Sequence, residues 1–510
     1  MPSNTARIAK NTLMLYFRQI LIMLVSLYTV RVVLETLGAE DYGIYNVVGG
    51  IVSLFSFLSG TMASATQRFF SFALGQNDFE KLRKTFTLNL VIYVTIAVIA
   101  LILLESVGLW YVNEHLNIPP ERFESARWIY HFSILSFIAT IFTAPFMAII
   151  IAHEDMQIYA YVSIVDVTMK LGVVFLLTYL SWDKLELYGM LVFAVSVIIS
   201  FVYIVICIRK YKECQFRNFY WDKNMLREIV GFTGWTLFGQ VSTVARNQAV
   251  TILLNQVFNP AVVAAKAVSN NVMVAINILS SNFNVGLYPP IIKSYAADNK
   301  KEMFSLIYSG SKITFFLMWV FALPFFLEMD TVLQVWLKNP PLEAVLFTRL
   351  ALIEALINSV SLPLYTAARA PGKMKTYELT LGIIQFMIFF ISWFVLMLGA
   401  AAYSVFIVAI VICLVMFAVR LLIIRDLTGL PIRPFFNQVI FPVSVIMLVS
   451  SISSFIIHWI LPLSLFFVCI SIFLSIIISC SSMYFIGLKK IEREKVRSIV
   501  INKVKGLKNR

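Results

Sequence analysis

Long uninterrupted apolar runs constrain this chain more than any other feature of its sequence. Hydrophobic residues occupy 60% of its 510 positions and charged residues only 13%, whereas a soluble protein carries about 25% charged residues. About 20 consecutive apolar residues are enough for a helix to cross a bilayer. The runs therefore predict a polytopic membrane protein and exclude a cytosolic enzyme, a disordered scaffold and a secreted disulfide-linked module.

Fourteen runs of roughly 20–28 residues are predicted to be transmembrane helices. They lie at 12–36, 43–70, 86–112, 124–151, 157–181, 187–208, 229–256, 261–290, 304–328, 344–368, 377–399, 401–424, 436–459 and 462–487. Strands of a membrane barrel would alternate apolar and polar residues over about ten positions, so only helices fit runs of this length. We therefore predict an all-α membrane protein with fourteen transmembrane helices.

The distribution of Lys and Arg predicts the side of the membrane that each connection faces. With the N-terminus inside, the outer connections hold only Arg122, Arg127, Lys184 and Lys338, and most other Lys and Arg residues lie in the inner connections and the tail. Cytoplasmic connections carry such an excess of positive charge, so both termini are predicted to be cytoplasmic. This topology explains the net charge of +14 without a nucleic-acid partner. The inner loop at 153–156 is an exception, because it is acidic.

An internal repeat divides the chain into two halves. Pro145 and Met156 recur as Pro363 and Met374, both 218 positions later, and the loop at 75–78 resembles the loop at 296–299. Two halves of the same orientation with a site between them are a transporter design, in which we expect both prolines to act as hinges. The predicted domains are a six-helix bundle at 1–208, a basic cytoplasmic linker at 209–228, a second six-helix bundle at 229–425, two extra helices at 436–487 and a basic cytoplasmic tail at 488–510.

Seven of the basic residues within predicted spans are candidates for a site in the membrane, where an ionisable side chain costs at least about 2.5–3.5 kcal/mol and needs a partner or water. They are Arg18, Arg31, Lys170, Arg246, Lys266, Lys312 and Arg349. Arg31, Lys266 and Lys312 are near span ends, so extension to the interface is an alternative for them. Arg18 and Arg246 lie deeper, in the first helix of each half, and are predicted to bind substrate. Arg18 and Arg31 are about 140° apart on a straight helix, so Arg31 is the secondary candidate.

Acidic residues within the spans are the candidates for ion coupling. Asp166 and Lys170 are four residues apart, so their side chains meet on one helix face. They form either a structural ion pair or part of a proton or cation relay. Glu354 has no opposite charge four residues away, so it is either protonated or paired with another helix.

Polar residues form a stripe along the eighth span. Lys266, Asn270, Asn277, Ser281 and Asn284 recur at helical steps that keep them on one face. The second span has a weaker stripe of Asn46, Ser53, Gly60 and Gln67. The stripes serve either helix packing or the lining of a cavity, and their appearance in both halves favours substrate-binding asparagines at 46, 270, 277 and 284.

The nucleotide-binding and metal-binding motifs considered for this chain do not occur in its sequence. It contains no G-x-x-x-x-G-K-[ST] phosphate-binding loop and no H-E-x-x-H zinc motif, and its five cysteines lack metal-ligand spacing. We therefore predict no metal site, no cofactor and no catalytic residues.

The segment Leu37–Asn46, which reads LGAEDYGIYN, resembles the start of the second helix in the polysaccharide-transport family of O-antigen and capsule flippases. That family typically has an L-G-x-E-x-[YF]-G-x-[YF] pattern there. It often has an Arg just before L-G, where this chain has Glu35 and Thr36, with Arg31 further back. The Pro145 segment and the loop Gly75–Lys84 are also similar to the family.

The resemblance implies the fold of the multidrug/oligosaccharidyl-lipid/polysaccharide exporters and a location in a bacterial cytoplasmic (inner) membrane. It also implies an undecaprenyl-diphosphate-linked oligosaccharide as substrate, membrane lipids as surroundings, and the glycan polymerase and glycosyltransferases of the same pathway as partners. The alternatives are an ion-coupled drug or metabolite antiporter of the same fold, a membrane-embedded glycan polymerase or ligase, and a membrane scaffold without transport.

Overall fold

A computed structural model describes residues 4–53, 55–116, 118–180, 182–214, 220–258, 260–337, 339–462, 464–488 and 493. Within these ranges every regular element is a helix. The helices of the first part are α1 (Asn4–Ser53), α2 (Ser56–Gly75), α3 (Phe79–Leu103), α4 (Leu109–His115), α5 (Phe123–Ala152), α6 (Met156–Tyr179), α7 (Lys184–Lys210) and α8 (Lys223–Val257).

The remaining helices are α9 (Pro260–Ala296), α10 (Lys300–Leu337), α11 (Ala344–Arg369), α12 (Met374–Met397), α13 (Ser404–Thr428), α14 (Ile432–Phe435), α15 (Phe441–Ile460) and α16 (Leu465–Ser482). Three π-helical turns, Leu104–Gly108, Phe436–Ile440 and Met483–Gly487, join α3 to α4, join α14 to α15 and extend α16. Every predicted span corresponds to one or more of these helices.

Eleven helices of the described ranges are long and apolar enough to cross a membrane, and a bent pair raises the number to twelve. The predicted all-α membrane fold is thereby confirmed, but the number fourteen stays a prediction. Helix α8 is long enough but carries Arg246, Asn247 and Gln248 in its middle, and the apolar segment Leu13–Ser26 in α1 is shorter than a full span.

Helix α1 continues into the second predicted span across a break at Gly38. The backbone of Gly38 has φ 80 and ψ 169, which is accessible to glycine but strained for other residues. The second span is itself bent, because its parts Asp41–Val52 and Ser56–Gly75 meet at 45°. Gly38, the first glycine of the Leu37–Asn46 motif, therefore produces a change of chain direction.

Asp41, three residues after this break, belongs to a group of three charged side chains. Arg122, just before α5, donates hydrogen bonds from Nε to Asp41 at 2.8 Å and from Nη1 to Asp183 at 2.5 Å. Asp183 also accepts from the backbone N–H of Leu185 and so caps the start of α7. Two of the predicted outer basic residues are thus held in place, since Lys184 donates to the carbonyl of Thr36 at 3.4 Å.

The charge of Asp183 is expected to make stability depend on pH. Burial alone would raise the pKa of Asp183, but hydrogen bonds from Arg122 and from two backbone N–H groups outweigh it and lower that pKa. A carboxylate with a lowered pKa stabilises the fold above its ordinary value of about 3.9, and this contribution is lost as the pH falls through the lowered pKa. We expect the thermal stability of the detergent-solubilised protein to fall in this acidic range.

The variant Asp183→Asn tests this expectation, because Asn still caps a helix but carries no charge. At neutral pH the variant is expected to be less stable by at most about 1 kcal/mol, which is typical of a partly exposed ion pair. Its stability should fall less on acidification than that of the wild type. An identical pH profile for both proteins would contradict the assignment.

The described chain separates into two compact units. Unit 1 comprises residues 1–240 and 286–300, and unit 2 comprises residues 241–285 and 301–510. The division falls within α8 and within α9, so each of these helices contributes one part to each unit. The predicted domain limits at 208 and 229 therefore stay a prediction.

Each unit has its own packing arrangement. In unit 1, α5 lies at the centre and contacts α1, α2, α3, α6 and α7. In unit 2, α13 packs against α11 and α12, and α15 packs against α16. The central position of α5 explains why more than half of its apolar stretch is buried.

The backbone repeats the internal similarity of the sequence. Asn77, after α2, and Asp298, after α9, both have positive φ values, 55° and 53°, and they are 221 positions apart. Glu154, after α5, and Gly372, after α11, also have positive φ values, 65° and 80°, and they are 218 positions apart. The two halves thus build the same turns with different residues.

The acidic inner loop that breaks the positive-inside pattern is neutralised by neighbouring bases. Glu154 pairs with Lys293 at 2.7 Å, and Asp155 pairs with Lys210 at 3.0 Å. Tyr211 donates a hydrogen bond to Asp155 at 2.6 Å. The loop therefore needs no Lys or Arg of its own, because the charge is supplied by the ends of α7 and α9.

Candidate functional site

Arg18 is a buried cation of unit 1, with 8% of its surface exposed. Its guanidinium lies over the ring of Tyr159 on α6, 4.5 Å from the centroid. Its Nη1 reaches the hydroxyl of Ser163 at 3.5 Å, and its Nη2 reaches the side-chain oxygen of Gln19 at 3.4 Å. Stacking on the face of Tyr159 holds the plane of the guanidinium group.

Asp166 and Lys170 lie further along the same helix, α6. Their side chains form the predicted i, i+4 pair, with Lys170 Nζ 2.9 Å from Asp166 Oδ2. The pair is partly exposed, at 41% for Lys170 and 29% for Asp166. The geometry establishes the ion pair, and the coupling role stays a prediction.

Arg246 is the equivalent cation of unit 2, in the part of α8 that belongs to that unit. Its Nη1 lies 3.1 Å from Oε1 of Glu354 on α11, and its Nη2 donates to the side-chain oxygen of Asn247 at 2.9 Å. Both charged side chains are mostly buried, at 17% and 20% exposure. Glu354 is therefore paired with a residue of another helix, which is one of the two alternatives predicted for it.

Lys266 adds a second positive charge to this part of unit 2. It is 7% exposed and donates from Nζ to the carbonyl of Asn247 at 3.0 Å and to the hydroxyl of Thr251 at 2.7 Å. It lies within electrostatic range of Arg246 and Glu354. Lys266 is therefore held inside the unit instead of reaching to the interface, and the group of Arg246, Lys266 and Glu354 carries an excess of one positive charge.

The arginines of the two units have parallel surroundings. Each lies in the first helix of its half, and each donates to the side-chain oxygen of the residue that follows it, Gln19 or Asn247. Each also contacts a second helix, α6 for Arg18 and α11 for Arg246. Both arrangements present guanidinium donors suited to planar anions such as phosphate.

The polar stripe on α9 has mixed exposure. Asn270 and Ser281 are exposed, Asn277 and Asn284 are half-buried, and Lys266 turns towards α8. The buried Oδ1 atom of Asn284 has no hydrogen-bond partner among the described residues. The asparagines thus remain open to a ligand, and their binding role stays a prediction.

Two predicted site residues, Arg31 and Asn46, have side chains outside the described part of the structure. The two predicted hinges are described: Pro145 and Pro363 are buried within α5 and α11. Neither helix has a residue with non-helical dihedral angles, whereas α10 has one at Glu328, four residues after Pro324. The hinge role of Pro145 and Pro363 stays a prediction.

Two further bases within the spans have structural partners. Lys312, 3% exposed, donates to the carbonyl of Gly487 at 3.1 Å and so satisfies the end of the last π-helical turn. Arg349 donates to the carbonyl of Phe326 at 2.9 Å and to Asp330 at 2.7 Å. Both side chains complete the backbone of neighbouring helices, which explains their presence in apolar runs.

Arg68, at the end of the second predicted span, is a buried base that is not among the predicted site residues. It is 2% exposed, lies 4.6 Å from the ring of Phe69 and 5.3 Å from that of Phe232, and its Nη1 is 3.4 Å from Glu228. It therefore connects α2 to the beginning of α8 within unit 1. Its position about two turns before the end of α2 gives no sequence signal of this burial.

Unit 2 also contains an apolar cavity of about 750 Å³. It is lined by α10, α11, α13 and α15, among others by Trp319, Ile353, Leu414 and Phe455. Phe455 at its rim is 58% exposed, so the cavity reaches the surface of the unit. The sequence does not predict this cavity, because residues that face the core and residues that face lipid are both apolar.

Comparison with known proteins gives one family and one fold. The sequence profile of a family described as "Polysaccharide biosynthesis protein" matches residues 8–295. No curated protein sequence matches the chain.

Among solved structures, an outward-facing multidrug-resistance MATE family transporter of the MOP superfamily superposes with a TM-score of 0.72. It has 13% identity over 84% of this chain and 96% of that chain. MATE in a bent conformation gives a TM-score of 0.72 and 12% identity over 84% of this chain and 96% of that chain. A variant of the Vibrio cholerae MATE transporter VcmN gives 0.64 and 17% identity over 83% of this chain and 97% of that chain. At these identities the likeness shows the fold alone.

Proposed function

Because the chain belongs to the polysaccharide biosynthesis protein family, we propose that it moves an undecaprenyl-diphosphate-linked oligosaccharide from the inner to the outer leaflet of a bacterial cytoplasmic membrane. Family and fold are those of a membrane transporter rather than an enzyme. The proposal makes this transporter a flippase of surface polysaccharide biosynthesis, supplied by glycosyltransferases and followed by a glycan polymerase. Its termini would both be cytoplasmic.

The charge of the candidate site supports an anionic substrate. In unit 2, Arg246 and Lys266 together exceed the single negative charge of Glu354, and in unit 1 Arg18 rests on a neutral tyrosine. A diphosphate offers several oxygens to guanidinium donors, and such charge-assisted hydrogen bonds contribute about 1.5–3 kcal/mol each. An exporter of organic cations would need an excess of buried carboxylates instead.

The apolar cavity of unit 2 supports a substrate with a hydrocarbon tail. Its lining residues come from four helices and include the aromatic side chains of Phe315, Trp319 and Phe417. A volume of about 750 Å³ lies within the range of about 300–1,000 Å³ that is typical of ligand sites. A polar solute alone would gain nothing from this surface.

The observation that carries the proposal is that helix α11 contacts both of these features. Glu354 of α11 meets Arg246, whereas Ile353 and Ile357, one residue before it and three residues after it, line the apolar cavity. One helix thus contacts a cationic group and an apolar cavity within a single turn. An amphiphile with an anionic head and a long apolar tail has the matching chemistry.

The mechanism follows from the two kinds of surface. Arg18 and Arg246 attract the diphosphate, the asparagines of α9 contact the glycan, and the tail occupies the apolar cavity. Alternating access of the two halves then exposes the head to the opposite side of the membrane. Because the tail stays in apolar surroundings throughout, only the head has to cross a polar path.

The test is a flipping assay with the purified protein in proteoliposomes. We expect it to accelerate exposure of a fluorescent lipid-linked oligosaccharide to an enzyme or quencher on the opposite side. Empty liposomes and liposomes that contain an unrelated membrane protein are the controls. Uptake of organic cations without movement of the lipid-linked oligosaccharide would replace the proposal by the antiporter alternative.

A further inference from the structure

A buried carboxylate in unit 2 has no part in the substrate site proposed above. Glu328 of α10 is 3% exposed. Its Oε1 lies 2.7 Å from Nδ1 of His458 on α15, and it accepts a hydrogen bond at 2.6 Å from the hydroxyl of Ser471 on α16. An ionisable group at such depth in a membrane protein is expensive and marks a functional position by default.

Glu328 lies where helix α10 is broken. Its dihedral angles, φ −99 and ψ 17, depart from those of a helix. The carbonyls of Phe326 and Leu327, just before this break, accept hydrogen bonds from Arg349 of α11. The contacts of Glu328 therefore connect the terminal segment of α10 to α15 and α16.

A series of buried hydroxyls continues from this carboxylate into the unit. Helices α15 and α16 follow each other in the sequence with four residues between them, and both His458 and Ser471 contact Glu328, so Ser454 lies level with Ser475 one turn deeper. The next turn brings Ser450 level with Ser479. Ser450 accepts a hydrogen bond from Trp319 at 2.9 Å.

Three of these hydroxyls, those of Ser454, Ser475 and Ser479, are fully buried and have no hydrogen-bond partner among the described residues. A buried hydroxyl without a partner costs about 1–3 kcal/mol. Serines within helices usually donate to the carbonyl four residues earlier, which these three do not. Hydroxyls in this arrangement are suited to bind water, and together with Glu328 they form a polar track within apolar helices.

We propose that Glu328 and His458 form a proton-binding site, with the polar track of Ser454, Ser475 and Ser479 as its hydrated extension. The pair takes up one proton from water, which protonates the carboxylate of Glu328 and leaves the imidazole of His458 neutral. His458 is 29% exposed and connects the pair to the surface of the unit. Neither group is used by the substrate site.

The charged groups around the pair come from α10, α11 and α15. On α10, Asp330 carries a negative charge that is offset by Arg349 of α11, at 2.7 Å. His458 is the titratable contact from α15, and α16 contributes only the neutral hydroxyl of Ser471. With a neutral imidazole the group carries one net negative charge, and binding of one proton brings the net charge to zero.

The proton site also has a consequence for transport, and this step rests on the proposed function. Loss of the proton leaves a net negative charge at the break of α10, where hydration would favour separation of its terminal segment from α15 and α16. Uptake of the proton favours their association. The protonation state thus biases two arrangements of α10, which is what coupling of transport to a proton gradient requires.

Infrared difference spectroscopy on the purified full-length protein tests the site without any substrate. We expect a protonated-carboxyl band that appears and disappears with pH and that is lost in Glu328→Gln. Asp330→Asn is the matched control, because it removes an exposed carboxylate two residues away and should keep the band. Retention of the unchanged band in Glu328→Gln would overturn the proposal.

Glu328→Asp is a second variant that keeps the test decisive if Glu328→Gln does not fold. It keeps a carboxyl group, so the pH-dependent band should persist at a displaced frequency. An undisplaced band would assign the signal to another residue and overturn the proposal. Displacement of the band by Na⁺ at constant pH would also overturn it, in favour of a metal-cation site.

The coupling step is tested in the flipping assay with an imposed pH gradient. The wild type is expected to respond to the gradient, and Glu328→Gln to flip at a rate that no longer depends on it. An equal response of both proteins would overturn the coupling step while leaving the flippase function intact. If the wild type does not move the lipid-linked oligosaccharide, the proposed function fails, and the infrared result still decides the proton site.

Discussion

Replacement of Arg246 by glutamine is expected to reduce flipping of the lipid-linked oligosaccharide about 10- to 100-fold. The variant loses a charge-assisted hydrogen bond to the diphosphate, worth about 1.5–3 kcal/mol, and each 1.4 kcal/mol corresponds to a factor of ten. Arg246→Lys keeps the charge but not the planar pair of donors, so it should retain part of the activity. The measurement is the initial flipping rate in proteoliposomes at equal protein content.

Removal of Glu354 together with Arg246 separates a binding role from a purely structural one. Loss of Arg246 alone leaves the mostly buried Glu354 without its partner, 3.1 Å away in the wild type, which is destabilising by itself. In Arg246→Gln/Glu354→Gln no unpaired charge remains. If Arg246 binds the diphosphate, the double variant is folded but still slow, and full recovery of flipping would contradict the binding role.

Arg425→Gln is the matched control for Arg246. Arg425 pairs with the adjacent Asp426, and both side chains are more than half exposed. An exposed pair of this kind contributes little to stability. The variant therefore removes one arginine charge from unit 2 and should flip at the wild-type rate.

Replacement of Arg18 by glutamine is expected to produce the second large loss, also of about one order of magnitude or more, since it removes the buried guanidinium that is proposed to bind the diphosphate in unit 1. Arg18→Lys should be intermediate, because an ammonium group cannot stack as a plane on Tyr159, 4.5 Å from Arg18. Arg127→Gln, which removes an exposed arginine of the same unit, is the control. Wild-type flipping by Arg18→Gln would refute the assignment.

The sequence is sufficient to predict the helical spans because apolar runs and lipid-spanning helices have nearly the same limits. The tenth span, predicted at 344–368, is helix Ala344–Arg369. The beginning of the chain is different, since α1 continues to Ser53 and the bend of the second span falls inside an apolar run. Hydropathy does not reveal such a bend, because the residues on both sides of it are apolar.

The candidate site is predictable only as far as its members lie on one helix. The spacing of Asp166 and Lys170 predicts their contact, and the lack of a partner for Glu354 on its own helix predicts one elsewhere. The identity of that partner, Arg246, depends on the packing of α8 against α11, which spacing does not contain. Lys266 is counted with the polar stripe by its spacing, but its long side chain reaches the carbonyl of Asn247 on α8.

Glu328 and His458 were missed for the same reason. They are 130 positions apart, and Glu328 falls at the end of a predicted span, where a carboxylate usually meets water. Two signals were nevertheless present in the sequence. Pro324 precedes Glu328 by four residues, and Ser471, Ser475 and Ser479 follow one another at steps of four.

The turns after α5 and α11 share a left-handed residue at equivalent positions, Glu154 and Gly372. Only the first of them carries a carboxylate, and that carboxylate binds Lys293. If both turns descend from one duplicated segment, the two copies have kept a common shape and diverged in charge. The substitution Glu154→Gly would then give both turns the same residue at this position. It would keep the left-handed backbone conformation and remove the ion pair with Lys293.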